Sequence, residues 1–280
     1  MKKKRKIGNI ITTVILSLVS LLYIVPLLII LMNSLKKKIF INAEPFKLPD
    51  KTSFFGFQNY INGVEKTDFI RVFLTSLFIT VCSVIVILVC TSMCAWFIAR
   101  VQNKFTKGVY YLCVFSMIVP FQMVMYTLSF ISNRLHLTTP WGIIVVYLGF
   151  GAGLAVFMFT GFVKSIPIEI EEAAMIDGCN PLQTFFKIVV PILKPTYISV
   201  AILEAMWIWN DYLLPSLVLD TTKYQTIPIA VQNVMKGTYG SIDMGGFMAM
   251  LVIAIIPIII FYLCCQKYII KGVVAGAVKG

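Results

Sequence analysis

Six stretches of this sequence are long and apolar enough to cross a lipid bilayer, and no other feature restricts the possible folds so tightly. They run near 10–32, 72–97, 109–131, 141–163, 197–219 and 244–265. Each has about 20 residues, the length a helix rising ~1.5 Å per residue needs to span the hydrocarbon layer. In lipid, backbone N–H and C=O groups must be bonded within the segment, so the expected fold is an all-α membrane protein with six transmembrane helices. With 59% hydrophobic and 13% charged residues, a soluble core of this size could not hide the apolar surface. Pro26, Pro120 and Pro257 fall inside these spans, which is tolerated where neighbours bond the freed carbonyls. The polar connections are too short for a separate globular domain. Residues 1–9 are therefore read as a cytoplasmic N-terminus and 10–280 as a single membrane domain.

The formal charge of +12 does not point to nucleic acid, because the basic residues cluster at the edges of apolar runs. With the N-terminus inside, six spans put both termini in the cytoplasm. Fourteen of the 24 basic residues then lie on the cytoplasmic side, led by Lys2–Lys6 and by the loop holding Arg100, Lys104 and Lys107. Lys36, Lys37 and Lys38, at the outer end of the first span, run against this orientation. The first apolar run is too long for a cleaved signal and is read as a retained span. Asn33 to Ile70, with Pro45, Pro49, Asp50 and Gly56, reads as an ordered external loop containing short helical pieces.

The chemistry changes between the fourth and fifth spans, in the loop 164–196. Pro167 suits a helix start, and Glu169, Glu171 and Glu172 follow where the helix dipole is positive. Ile168, Ile170, Ala174 and Met175 give that short helix an apolar face, and Gly178 supplies the left-handed turn that ends it. Asn180 and Pro181 are a ready cap and first residue for a second helix, which runs to about Val190 and stops at Pro191. The expected unit is a helix–turn–helix at the cytoplasmic face. An amphipathic hairpin resting on lipid would carry Lys and Arg on its polar face; this one carries four acids, Glu169, Glu171, Glu172 and Asp177.

Glu172-Ala173-Ala174, then Gly178, Ile188 and Pro191, resemble the EAA loop of bacterial ABC import permeases, with Val190 where that family usually has Leu. Trp209-Asn210-Asp211-Tyr212 with Leu213-Leu214-Pro215 resembles the carbohydrate-importer branch, and in particular the second permease of maltose-type importers. So do Thr226-Ile227-Pro228 and the terminal Gly276-Ala277-Val278-Lys279-Gly280. The resemblance implies a bacterial cell-membrane protein that forms half of a translocation pathway with a second permease subunit. It also implies two cytosolic ATPase subunits, an extracellular solute-binding protein and a sugar or oligosaccharide substrate. ATP and Mg would sit on the partner ATPase, and no cofactor or metal on this chain. The same resemblance makes Glu172, Ala173, Ala174 and Gly178 the ATPase-coupling residues; Asp177 is added for its place beside the turn.

Gln122, Glu204, Asn210 and Asp211 are polar residues within predicted spans and candidates to line the pathway. Glu204 and Asp211 are seven residues apart, so one continuous helix would put them on one face. Helix–helix hydrogen bonding is an equally good account of Gln122 and Asn210. Gly149, Gly151 and Gly153 follow no strand and read as close helix packing rather than a phosphate loop. The alternatives are an ABC permease for another solute class, a proton-coupled secondary transporter using Glu204, and a membrane-embedded enzyme. One histidine, His136 in a loop, gives metal catalysis no ligand set, and no GxxxxGK[ST] motif is present for ATP. Secondary transporters usually carry more spans and inverted repeats.

Overall fold

A computed structural model describes residues 2–236 and 243–277, with side chains over 10–235 and 243–268. Of the C-terminal string, Val278–Gly280 lie outside the described residues, as does Lys279 of the charge pattern. Among the described residues the elements are helices, with a lone antiparallel bridge between Lys36 and Phe54. Four helices are each long and apolar enough to span a membrane: α1 (Lys2–Ser34), α4 (Phe69–Arg100), α7 (Pro140–Val163) and α14 (Met244–Ala277). Pro26 and Pro257 lie inside α1 and α14, as expected.

Pro120 does not. The third apolar stretch is two helices, α5 (Lys104–Ser116) and α6 (Phe121–Arg134), meeting at 105°. Pro120 has no N–H to continue a helix and disfavours helical backbone at Val119, so it caps α6 with an extended ψ of 135°. The fifth stretch is also broken, into α11 (Lys194–Asn210) and α12 (Leu213–Val218). Asp211 leaves the helix with an extended ψ of 121°, so Glu204 and Asp211 do not share one helix face. By length and composition the described residues hold these four helices, or up to six spans if α5 with α6, and Pro181–Ile192 with α11, each count as one bent span.

The chain divides into two compact units, Met1–Ile70 with Ala230–Pro257, and Arg71–Ile229 with Ile258–Gly280. In the first, α2 (Lys38–Ala43) and α3 (Gln58–Thr67) order the segment after α1. Asn59 donates to the carbonyls of Ser34 and Lys36, both at 2.8 Å, and Ser34 bonds the Tyr60 hydroxyl at 2.6 Å. Lys36 is buried and donates to the Glu44 carbonyl, while Lys37 reaches the Thr52 carbonyl. Burial pushes the Lys36 ammonium below its ordinary range, against the opposing pull of Glu44 and Asp50. These two lysines thus each hold a carbonyl of the segment that follows α1. Lys66 pairs with Asp243 at 2.6 Å just before α14.

In the second unit, Ile79, Ile87 and Ala95 of α4 pack with Tyr147, Ala155 and Phe159 of α7 and with Val200 and Ile208 of α11. A β-carbon at Gly153 would lie 2.8 Å from the Cys113 carbonyl and 2.6 Å from Met117, so this glycine lets α7 approach the end of α5. Gly149 faces open space. All seven cysteines are free thiols.

Candidate functional site

The loop between α7 and α11 folds as its local chemistry dictates. Pro167 caps α8 (Ile168–Ile176), whose first turn carries Glu169 and Glu171 at the positive end of the dipole. After Ile176 the chain turns through Gly178, whose φ of +89° lies in the left-handed region. The Cys179 N–H bonds the Ala174 carbonyl (3.0 Å) and the Gly178 N–H bonds that of Met175 (3.1 Å), a Schellman ending. Asn180 then opens α9 (Pro181–Thr184) through a reciprocal capping box with Gln183, at 2.9 and 3.0 Å.

The second helix does not stop at Pro191. It continues through a π-helical turn (Phe185–Val189) into α10 (Val190–Ile192), and breaks at Leu193 before α11. The Val190 N–H bonds five residues back to Phe185, a widened register just before the proline, which has no N–H to offer. The chain then bends by 78° between Pro181–Ile192 and Lys194–Asn210.

The face of α8 that packs inward is not the apolar one the sequence suggests. Ile168, Ile170 and Met175 are exposed, while Glu171 (2% exposed) and Ala174 are buried. Glu171 meets the end of α4. Arg100 donates to its Oε1 from Nε (3.0 Å) and Nη2 (2.6 Å), and Trp96 Nε1 donates to Oε2 at 2.9 Å. Arg100 Nη2 also holds the Ile166 carbonyl at 3.0 Å. The Trp96 ring lies against Phe185 of the π turn, 5.3 Å between centroids. A buried carboxylate needs a cation and satisfied lone pairs, and Arg100 and Trp96 supply both. The loop is thereby pinned at both of its helices to one turn of α4.

Sequence reasoning groups Glu171 with the surface acids and gives Arg100 only a topological role. Trp96 and Arg100 stand four residues apart on one helix face, and Glu171 and Ala174 three apart on another; that spacing was the available signal. Of the expected coupling residues, Glu172, Ala173, Asp177 and Gly178 are exposed, while Ala174 faces inward. Around them stand Ile176 (86% exposed), Met175, Leu182 and Phe186, so the tip of the hairpin is acidic and apolar together.

The candidate pathway residues separate. Asp211 accepts from the backbone N–H groups of Leu213 and Leu214 and from the Tyr147 hydroxyl at 3.2 Å, which ties it to the first turn of α12 and to α7. Asn210 donates to the Met206 carbonyl one turn back. Gln122 is exposed in the first turn of α6. Glu204 is buried in α11 and faces α7.

A family model described as binding-protein-dependent transport system inner membrane component matches residues 91–274, which include the whole loop and its α4 anchor. The chain belongs to this family. The permease is 38% identical over 260 residues to the probable starch degradation products transport system permease protein AmyC of Thermoanaerobacterium thermosulfurigenes, covering 93% of each chain. It is 34% identical to the multiple sugar-binding transport system permease protein MsmG of Streptococcus mutans, over 100% of both chains. A solved bacterial ABC transporter involved in the import of the acidic polysaccharide alginate shares the fold: TM-score 0.79 at 22% identity, over 94% of this chain and 96% of that one. The permease is thus a multi-pass inner-membrane transport component rather than an enzyme.

Proposed function

We propose that this permease forms half of the translocation pathway of an ATP-driven importer for a sugar or oligosaccharide, and that the α8–Gly178–α9 hairpin is its contact with a cytosolic ATPase. The observation that carries the proposal is the composition of the exposed tip. Glu172 and Asp177 project beside Ile176, Met175 and Leu182, on a hairpin whose base is clamped to α4. Anionic headgroups would repel the acids, and water alone would not favour so much exposed apolar surface. A protein groove with an apolar floor and basic rim satisfies both. The saccharide class follows from the starch-product and multiple-sugar permeases to which the chain is similar.

In this reading both termini and the hairpin lie in the cytoplasm. ATP and Mg bind to the ATPase pair, a second permease completes the pathway, and an extracellular solute-binding protein delivers the sugar. A solved alginate transporter held with its pentasaccharide-bound periplasmic protein has the same fold at TM-score 0.60, which supports such an assembly. The test is co-purification. Tagged permease from native membranes is expected to bring down an ATP-hydrolysing subunit, and Glu172→Lys to reduce the recovered ATPase about tenfold, the effect of losing ~1.4 kcal/mol of binding, with insertion unchanged. Undiminished recovery with Glu172→Lys would remove that residue from the contact, and no ATPase with wild type would refute the proposal.

A further inference from the structure

Glu204 belongs neither to the hairpin nor to its clamp on α4. It is 2% exposed, in the middle of α11, among apolar helices. No donor among the described residues reaches its carboxylate; the Tyr147 and Tyr197 hydroxyls bond Asp211 and Ser92 instead. A β-carbon at Gly151 would lie 3.0 Å from Glu204 Oε2, so the absence of a side chain on α7 makes the space the carboxylate occupies. Beside it opens a cavity of about 130 Å³, lined by Phe150, Gly151, Leu154, Leu203, Glu204 and Trp207.

A carboxylate held in hydrocarbon without a partner is costly, and proteins keep one there when something that enters the site bonds to it. The cavity has room for several waters or for the hydroxylated edge of one sugar ring. A lone acid among apolar walls does not make a metal site, and the described residues contain no cluster of three metal-ligating side chains. Its chemistry suits a neutral polyhydroxylated ligand. Carboxylate oxygens accept from hydroxyls in charge-assisted bonds, and the indole of Trp207 and ring of Phe150 offer apolar surface to the C–H faces of a sugar.

We infer that Glu204, with Gly151 and Trp207, forms a saccharide subsite within the membrane, taking hydroxyl groups of a neutral sugar as it passes. The inference rests on the saccharide reading of the transporter. Glu204 is a binding residue of this subsite, Trp207 its apolar wall, and Gly151 the residue that keeps the space open. Asp211, held by the Leu213 and Leu214 amides and by the Tyr147 hydroxyl of α7, has no part in it.

The experiment is uptake by the complete importer, reconstituted with its partner subunits and binding protein. The probes are maltotriose, raffinose, arabinotriose and diacetylchitobiose. Thermal unfolding of each purified assembly is measured in parallel. Glu204→Leu is expected to lower kcat/KM at least tenfold while the melting midpoint holds or rises, since the acid has no structural partner to lose. Glu204→Gln, which keeps the volume and one acceptor oxygen, should fall between the two. Wild-type uptake by Glu204→Leu would overturn the subsite. So would a parallel fall in melting midpoint for both variants, which would mean that the acid is a structural contact in the assembly. Failure of the saccharide reading itself would show in the wild type, which would then accumulate none of the four probes.

Discussion

Replacing Arg100 with methionine is expected to leave the permease in the membrane but to cut solute uptake per ATP hydrolysed by at least tenfold. The substitution leaves Glu171 buried without its cation, a loss of about 3–5 kcal/mol where one partner of a buried ion pair is removed. Trp96 still donates one hydrogen bond, but the Ile166 carbonyl loses its donor as well. The hairpin then has no fixed seat on α4, and force applied at its tip is lost in local motion rather than passed to the span. Arg100→Lys should recover little, because a point ammonium cannot hold both the carboxylate and the carbonyl in the geometry of a guanidinium fork. The double variant Arg100→Met, Glu171→Met removes the uncompensated charge and should regain stability without regaining coupling. Arg100 and Glu171 are positioning residues in this account, so the coupling ratio, not the amount of folded protein, is the measurement that decides. An unchanged ratio in Arg100→Met would dismiss the clamp.

The second large effect is at Gly178. Its φ of +89° is strained for any residue with a β-carbon, yet a β-carbon there would meet no atom within 4 Å. The cost of a substitution is therefore backbone strain alone, of order 1–3 kcal/mol. The order of damage should follow tolerance of the left-handed region: Asn least, Ala more, Val most. One to two kcal/mol shifts the docked-competent hairpin about 5–30-fold, so Gly178→Val should fall to a few per cent of wild-type uptake. Uptake measured across the three variants checks the order. If bulk rather than backbone conformation governed, Ala would be the mildest of the three, which would contradict this reading.

The parts of the molecule written in local chemistry are legible in the sequence. Gly178 takes the left-handed turn, Asn180 and Gln183 close a capping box around Pro181, and α1, α4, α7 and α14 follow their apolar runs. What sequence reasoning misses is set by contacts between distant residues. Arg100 and Glu171 are 71 positions apart, and the three-residue spacing of Glu171 and Ala174 does not say which element that face meets. The exposed Ile168, Ile170 and Met175 look like a buried face because periodicity reports apolarity, not what covers it. Likewise, a proline inside an apolar run does not announce its outcome. Pro26 and Pro257 stay within helices, while Pro120 ends one span segment and starts another at 105°. Asp211 is similar: its spacing from Glu204 fits a helix face until the Leu213 and Leu214 amides draw the carboxylate out of register.

Everything turns on which side of the membrane the hairpin faces and what it touches there. Thiol labelling at position 173 reports the first, and a photoreactive phenylalanine analogue at Ile176, the most exposed apolar side chain of the tip, reports the second. In whole cells an impermeant thiol reagent should fail to label an Ala173→Cys variant freed of its other cysteines, and should label it in inverted vesicles. Irradiation of the Ile176 probe should then join the permease to an ATP-hydrolysing subunit in a single covalent product. Labelling of Ala173→Cys from outside intact cells, or a photoproduct only with lipid, would contradict the account.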